Sequence, residues 1–454
     1  MGDYAVMQRR TLLAGAATLG LAAPALAQAP VEIQFWHGLA QPLGGLLEKR
    51  ATDFNATQSR FKVVPTFRGS YPETMVAAIA AFRANNAPHI VQMFEVGTGT
   101  MMAAGRAVKP VHELLAETGV DIDFNDYLPG VRGYYSLADG RMMSMPFNSS
   151  TTIVWYNKDA FSRAGVDPNK FPETWEGVAE ILPKLKAGGG TQVPMSTAWL
   201  TWAQIENFSA IHDIPLATLA NGFGGLGTEL RINNPLVQRH MANLVQWQKD
   251  GLFRYGGRNN AGEPAFPNGE AAIMFTSSGF RARVQREARF NWGVGMLPYY
   301  QGTPRAPINS IIGGASLWVM NKGPAAGGGR TRDEFQGVAE FFKYLSAPEI
   351  DAQWHMDTGY VPVRRASYAI AREKGFYRDN PGADVPIEQL LRGGGTLTDN
   401  SRGIRLGGFV EIRTIMEEEM ERAFQGQQTA EQALAASTTR GDQVLRNFQR
   451  ANRG

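Results

Sequence analysis

Hydroxyl groups gathered at the ends of apolar runs are the most evident chemistry in this chain. The segment MPFNSSTTIVWYNKDAF (145–161) sets a proline, an aromatic, an asparagine and two serines before an apolar run at 151–156 that reads as a buried strand. TSSGF (276–280) and IIGGAS (311–316) repeat the theme, with hydroxyls beside glycines at a strand end. Backbone N–H groups exposed in such turns form anion-binding nests without a P-loop sequence. A pair of serines also serves as an ordinary turn. STAWLTWAQIENF places Trp199 and Trp202 three residues apart. Indoles at that spacing pack in a core or, where an apolar face opens on a cleft, cover a ligand's CH groups or a cationic head. Arg413 lies inside the periodic stretch FVEIRTIMEEEM. There it is a surface or salt-bridge residue, or a planar fork matched to phosphate oxygens.

Catalytic and metal chemistry finds little support. GFGGLG (222–227) fits G-x-G-x-x-G, but it lacks the strand before it and the helix after it that a dinucleotide site needs, so it reads as a loop. No Walker A, G-x-S-x-G or H-E-x-x-H sequence occurs. The six histidines (37, 89, 112, 212, 240 and 355) include no pair at helical ligand spacing, and there is no cysteine. That combination argues against a metal site and rules out disulfides, a thiolate nucleophile and an acylated-cysteine anchor. Among 42 Asp and Glu residues some acidic pairs are unavoidable, so they do not define a glycosidase. The balance favours binding over catalysis.

The elements that must hold these groups are those of a two-domain protein. A chain of 454 residues exceeds one ordinary core. A hydrophobic fraction of 43% and a charged fraction of 19% describe a soluble globular protein. The net charge of +3 gives little reason to propose nucleic acid or an anionic membrane as partner. Arg9 and Arg10 precede the apolar TLLAGAATLGLAAPALA, and Ala27-Gln28-Ala29 supplies a small-x-small cleavage signal. This is a secretory leader over 1–29, and the paired arginines permit the twin-arginine route beside the general one.

From residue 31 the pattern alternates strand and helix. VEIQFWHG, FKVVPTF and HIVQMFEVG read as strands, the last ending at its glycine, with helices near 46–55 and 71–85 between them. The alternation restarts at 151. Helices follow at 158–164, in ETWEGVAEILPKLKAGGG (kinked or ended by Pro183) and at 235–251, with strands in AAIMFTSSG, WGVGMLP and NSIIGGASLWVM. The last strand can return the chain to the first sheet. From Phe409 onward the chain is helical, with Glu417, Glu418 and Glu419 on a solvated face. Two α/β units crossed more than once by the chain suggest lobes closing about a hinge.

Together FWHG, NAPHIVQMFEVGT, MPFNSSTTIVWYNKDAF, IENFSA, IIGGASLWVM, WHMDTGYVPV and GFYRDNPGAD resemble one family. It is the periplasmic sn-glycerol-3-phosphate-binding branch of the extracellular solute-binding proteins of ABC importers, a group that includes maltodextrin binders. The likeness runs from about residue 31 to the C-terminus. The resemblance implies a two-lobed periplasmic-binding-protein fold of class α/β. Each lobe is a mixed, mostly parallel sheet flanked by helices, and the hinge is crossed several times. Lobe I falls at 30–150 and 312–360, and lobe II at 151–311 and 361–454.

Carried over position by position, the family's ligand contacts fall on Tyr71 in RGSY, Glu95 in FEVGT, Ser150 in PFNSS, and Trp199 and Trp202. The remainder fall on Ser277 in TSSG, Gly314, Tyr360 in TGY, and Arg413. On this assignment phosphate takes hydrogen bonds from Ser150, Ser277, Tyr360 and the Gly314 N–H, with Arg413 adding a charge-assisted pair. Glu95 accepts from glycerol hydroxyls, its carboxylate held away from the phosphate. Tyr71 reaches either end, and the tryptophans cover the carbon skeleton or a choline group. The resemblance further implies a monomer in the periplasm, with no metal, cofactor or catalytic residue. Its ligand is glycerol-3-phosphate or a glycerophosphodiester, and its partners are the permease's transmembrane subunits with their ATPase. Two other readings are a binder of a different solute, such as an oligosaccharide, and an exported diester hydrolase. The hydrolase needs a metal or an activated nucleophile, and the sequence offers neither.

Overall fold

The structure is a computed structural model that describes residues 29–324 and 329–453. Apart from Ala29, the expected leader lies outside the described residues. In chain order the strands are β1 (Val31–His37), β2 (Phe61–Phe67), β3 (Ile90–Phe94), β4 (Val108–Lys109), β5 (Met145–Ser150) and β6 (Thr152–Asn157). They continue with β7 (Val193–Thr197), β8 (Phe253–Tyr255), β9 (Ala271–Ser277), β10 (Trp292–Gly295) and β11 (Gly313–Met320). Among the described residues they form two sheets. One runs β2-β1-β3-β11 with β4 and β5 both on the outer side of β11, and the other runs β10-β6-β9-β7-β8.

Both sheets are mixed, and antiparallel pairing has a larger share than a mostly parallel reading implies. β1 is parallel to β2 and β3, but β11 returns antiparallel to β3, β4 and β5. In the second sheet β7 is parallel to β8 and β9, while β6 is antiparallel to β9 and β10. The reason is that strands entering from the other lobe arrive reversed.

Burial follows the residue pattern. β1 alternates, with Ile33 and Phe35 fully buried, and β3 is buried along its whole length because helices cover both faces of its sheet. The helix Arg332–Leu345 starts at a capping box between Thr331 and Glu334. Gly337 lets it close on the sheet, since a Cβ there would sit 2.7 Å from Phe61 and 2.9 Å from Ile33. In the second lobe the helix Trp175–Gly188 runs through Pro183 without ending, and Asn234 caps Pro235–Lys249.

The segment expected as a polar mouth, MPFNSS, is itself strand β5, with all six residues buried against β11. Pro146 is tolerated because it falls where the β5–β11 register shifts, and a missing N–H costs least there. A single residue, Thr151, separates β5 in one sheet from β6 in the other. Its hydroxyl meets Ser310 at 2.8 Å and donates to the Ile311 carbonyl at 2.9 Å, on the segment that leads back into β11. Gln389 joins this crossing by donating to the Thr152 carbonyl at 2.8 Å and the Ser310 hydroxyl at 3.0 Å. The two crossings are thereby tied at one point.

The acidic triplet also departs from expectation. In the helix Phe409–Phe424, Glu417 and Glu419 are buried. Glu419 is covered by Arg440 of the helix Ala430–Ala451 at 2.5 Å, and Gln428 donates to it at 3.0 Å. Periodicity within one helix cannot reveal a cation supplied by the next. Among the described residues no helix is long and apolar enough to cross a membrane.

Trp318, fully buried in β11, is a direct test of the core. Trp318→Ala should cost about 3–5 kcal/mol in denaturant unfolding. A loss below about 1 kcal/mol would show that β11 does not organise the first sheet.

Candidate ligand-binding site

A cavity of about 320 Å³ opens between the ends of the two sheets. All nine residues singled out from the sequence line it. Tyr71, Glu95, Ser150, Gly314 and Tyr360 stand with the first sheet and its crossings, Trp199, Trp202 and Ser277 with the second, and Arg413 with the C-terminal helices.

Arg413 is the central charge. Its Nε donates to Glu206 Oε1 at 2.7 Å, and one Nη donates to Glu206 Oε2 at 2.6 Å and Glu95 Oε1 at 2.7 Å. Arg413, Glu95 and Glu206 are 8%, 7% and 2% exposed, so the triad is almost wholly out of water. Burial alone pulls the guanidinium's pKa down, but the two carboxylates more than offset it and leave the pKa raised. Burial raises the Glu95 pKa against the pull of Arg413, with Glu206 adding repulsion. The contact between Glu95 and Arg413 was not part of the sequence expectation: a buried guanidinium needs counter-charge at contact distance, and Glu95 supplies part of it. Arg413 keeps its second Nη outside these bonds.

Tyr71 is oriented by a relay. Gly38 N–H donates to Gln92 Oε1 at 2.9 Å, Gln92 Nε2 to Asn148 Oδ1 at 2.8 Å, and Asn148 Nδ2 to the Tyr71 hydroxyl at 3.0 Å. The ring is fixed by stacking on Phe94 at 5.4 Å. Burial lifts the Tyr71 pKa well above its ordinary value and pushes Tyr360 up to about 12, so both phenols keep their protons. Tyr360 follows the left-handed Gly359 that ends the helix Pro348–Thr358, and its ring lies parallel to that of Trp354.

The hydroxyls follow the same logic. Ser277 accepts from the Gly279 N–H at 3.1 Å and lines the cavity. Ser150 ends β5 and faces the cavity. Gly314 has φ +84°, and a side chain there would collide with the Asn148 carbonyl. Only glycine lets the start of β11 approach β5 at this point.

The tryptophans do not share a helix face. Trp199 precedes the helical segment with φ +50°, and Trp202 begins the π-helical turn Trp202–Glu206. The wider turn places Glu206 beneath Arg413, a use common to π-turns at functional sites. Residues missed from the sequence are Glu206, Gln92, Asn148 and Glu263. Glu206 alone left a signal, as the one charged residue in the run WAQIENFSAI.

Two α/β lobes tied by crossing segments, with a polar cavity between them, define a solute-binding protein of the hinged, two-lobed class. The model for bacterial extracellular solute-binding proteins matches residues 49–383, and the chain belongs to that family. It is a binding protein and not an enzyme. It is 43% identical over 441 residues to the sn-glycerol-3-phosphate-binding periplasmic protein UgpB of Escherichia coli K12, covering 97% of this chain and 98% of that one. The Shigella flexneri protein of the same name shows the same identity and coverage. Among solved structures, UgpB from Mycobacterium tuberculosis in complex with glycerophosphocholine superposes with a TM-score of 0.73 at 21% identity. That match covers 92% of this chain and 99% of the other. The cyclic alpha-maltosyl-1,6-maltose binding protein of Arthrobacter globiformis gives 0.70 at 18% identity, with 92% and 100% covered. At these identities the structures establish the fold.

Glu206→Ala leaves a buried guanidinium short of its main counter-charge and should cost about 3–5 kcal/mol in unfolding free energy without ligand. A cost below about 1 kcal/mol would mean that the triad is not what holds Arg413. Burial also pushes Glu263 and Glu417 up to about 7. A carboxyl whose folded pKa exceeds its unfolded value stabilises fully at low pH and loses that contribution as pH rises through the folded pKa. The thermal unfolding midpoint should accordingly fall between about pH 5 and 8, and less so in Glu263→Gln. An identical pH profile in the variant would remove Glu263 from the account.

Proposed function

We propose that this protein captures sn-glycerol-3-phosphate, or a glycerophosphodiester, between its lobes and hands it to the membrane permease of an ABC importer. The observation that carries this reading is the meeting of one buried guanidinium with several neutral donors in a single cavity. Arg413 offers its uncommitted Nη, and Ser150, Ser277, Tyr360 and the Gly314 N–H supply neutral hydrogen bonds to phosphate oxygens. Glu95 Oε1 holds Arg413, which leaves Oε2 to accept from a glycerol hydroxyl. Trp199 and Trp202 cover the carbon skeleton. The relatives that are 43% identical carry the name sn-glycerol-3-phosphate-binding, which supports the same ligand here. On this reading the protein works in the periplasm as a monomer after cleavage behind Ala29, with lobe I at 30–150 and 312–360.

Calorimetric titration of the protein from Pro30 tests this, with glycerol-3-phosphate, glycerophosphocholine and maltose as ligands. One-to-one binding of a phosphate compound is expected. It should be lost in Arg413→Ala and strongly weakened in Arg413→Lys, which keeps the charge but not the fork. Ser150→Ala should weaken it about tenfold, the worth of one well-placed hydrogen bond. Heat with maltose and none with either phosphate compound would overturn the ligand assignment.

A further inference from the structure

The cavity wall around Trp199 holds a buried carboxyl that the phosphate reading does not use. Trp199 is one of few non-glycine residues in the left-handed backbone region, at φ +50°. Its N–H donates at 2.7 Å to the carbonyl of Asn259, which is itself at φ +51°. Strain of this kind persists only where surrounding contacts enforce it. Glu263 lies four residues on from Asn259, is 9% exposed and lines the same cavity. Its Oε1 accepts from the Thr276 hydroxyl at 2.9 Å, next to Ser277 on β9. Trp199 lines the same cavity as Glu263. The loop that carries Asn259 and Glu263 is clamped to the helix Phe409–Phe424: Arg258 donates to both oxygens of Glu421 at 2.8 and 2.6 Å, and the Tyr255 hydroxyl meets Glu421 at 3.1 Å.

We propose that Glu263 is a positioning residue. Anchored by Thr276, it holds the strained Trp199 indole against the cavity and so sets how bulky a ligand the cavity discriminates. This rests on the reading that the cavity takes glycerol phosphate compounds. Burial pushes the Glu263 carboxyl up to about 7, yet either protonation state keeps an oxygen able to accept. Its work is therefore geometric, and an amide can replace it.

The experiment combines ¹⁹F NMR of 5-fluorotryptophan-labelled protein, the Trp199 resonance assigned by its loss in Trp199→Phe, with titrations of glycerol-3-phosphate and glycerophosphocholine. Glu263→Ala should move or broaden the Trp199 resonance and weaken the diester about ten times more than the monoester. Glu263→Gln should restore the resonance and return the ratio to within about threefold of the starting protein, since its amide oxygen replaces the carboxylate as acceptor. Thr276→Val removes the anchor without altering charge, and it covers the case in which Glu263→Ala fails to fold. It should move the resonance in the same direction. An unmoved Trp199 resonance in both Glu263→Ala and Thr276→Val overturns the proposal, as does an equal loss for the two ligands in both. If neither phosphate compound binds the unmodified protein, the ligand reading fails while the NMR arm still decides the role of Glu263.

Discussion

The Arg413 guanidinium is removed from water and must find its counter-charge inside the protein, and carboxylates from two different lobes supply it. Glu95 follows β3 of the first sheet, and Glu206 sits in the π-turn after β7 of the second. Desolvating three charged groups is expensive, and their mutual attraction repays it only when the geometry is tight and the remaining hydrogen-bonding positions are satisfied. Neighbouring bonds hold the backbone that carries these groups. The Tyr134 hydroxyl lies 2.9 Å from the Glu95 carbonyl and 2.5 Å from that of Ile404, which ties the end of β3 to the segment leading into the helix of Arg413. The backbone around the triad is thus fixed from both sides.

Around that charge, hydroxyl oxygens are themselves held by hydrogen bonds from the protein. Asn148 donates to the Tyr71 oxygen and the Gly279 N–H donates to the Ser277 oxygen. The relay behind Tyr71 begins at a main-chain N–H of the loop after β1 and passes through two amides that are themselves fully buried. Such chains hold a site rigid because each member has one arrangement that satisfies all its partners. Donors aimed into a cavity in advance spare a ligand the cost of ordering them.

Much of this was legible in the sequence, and the unread part has a common cause. The alternation of β1, the restart after residue 151 and the return of β11 to the first sheet follow from periodicity and turn residues alone. The nine cavity residues came from motif resemblance, since nothing in the spacing of Tyr71 and Arg413 announces that they meet. MPFNSS has a polar composition, yet it forms a buried strand that pairs with β11, and its Asn148 side chain bonds Gln92 and Tyr71. Glu417 and Glu419 were placed in solvent because the groups that cover them lie on other elements. Trp199 and Trp202 keep helical spacing in sequence, but a left-handed residue and a π-turn replace the regular helix. In each case the missing information was a long-range partner, and a local pattern cannot carry that.

The division of labour between the two carboxylates bears on how a hinged cleft can open. Glu206 grips Arg413 through two nitrogens, and the helix Phe409–Phe424 packs on Ala430–Ala451, which lies against Pro235–Lys249 of the second lobe. Glu95 holds the same guanidinium through one oxygen from the first lobe. On the proposed reading, a rotation of the lobes would break the single Glu95 bond and spare the bidentate one, keeping a counter-ion beside Arg413. A lone carboxylate on the first lobe would strand the charge at each opening, at the several-kilocalorie cost that an unpaired buried ion carries. On the proposed reading, an entering phosphate meets a guanidinium already oriented by Glu206, with one face still unbonded. On that reading, the second carboxylate would let one arginine serve both the empty and the filled cleft.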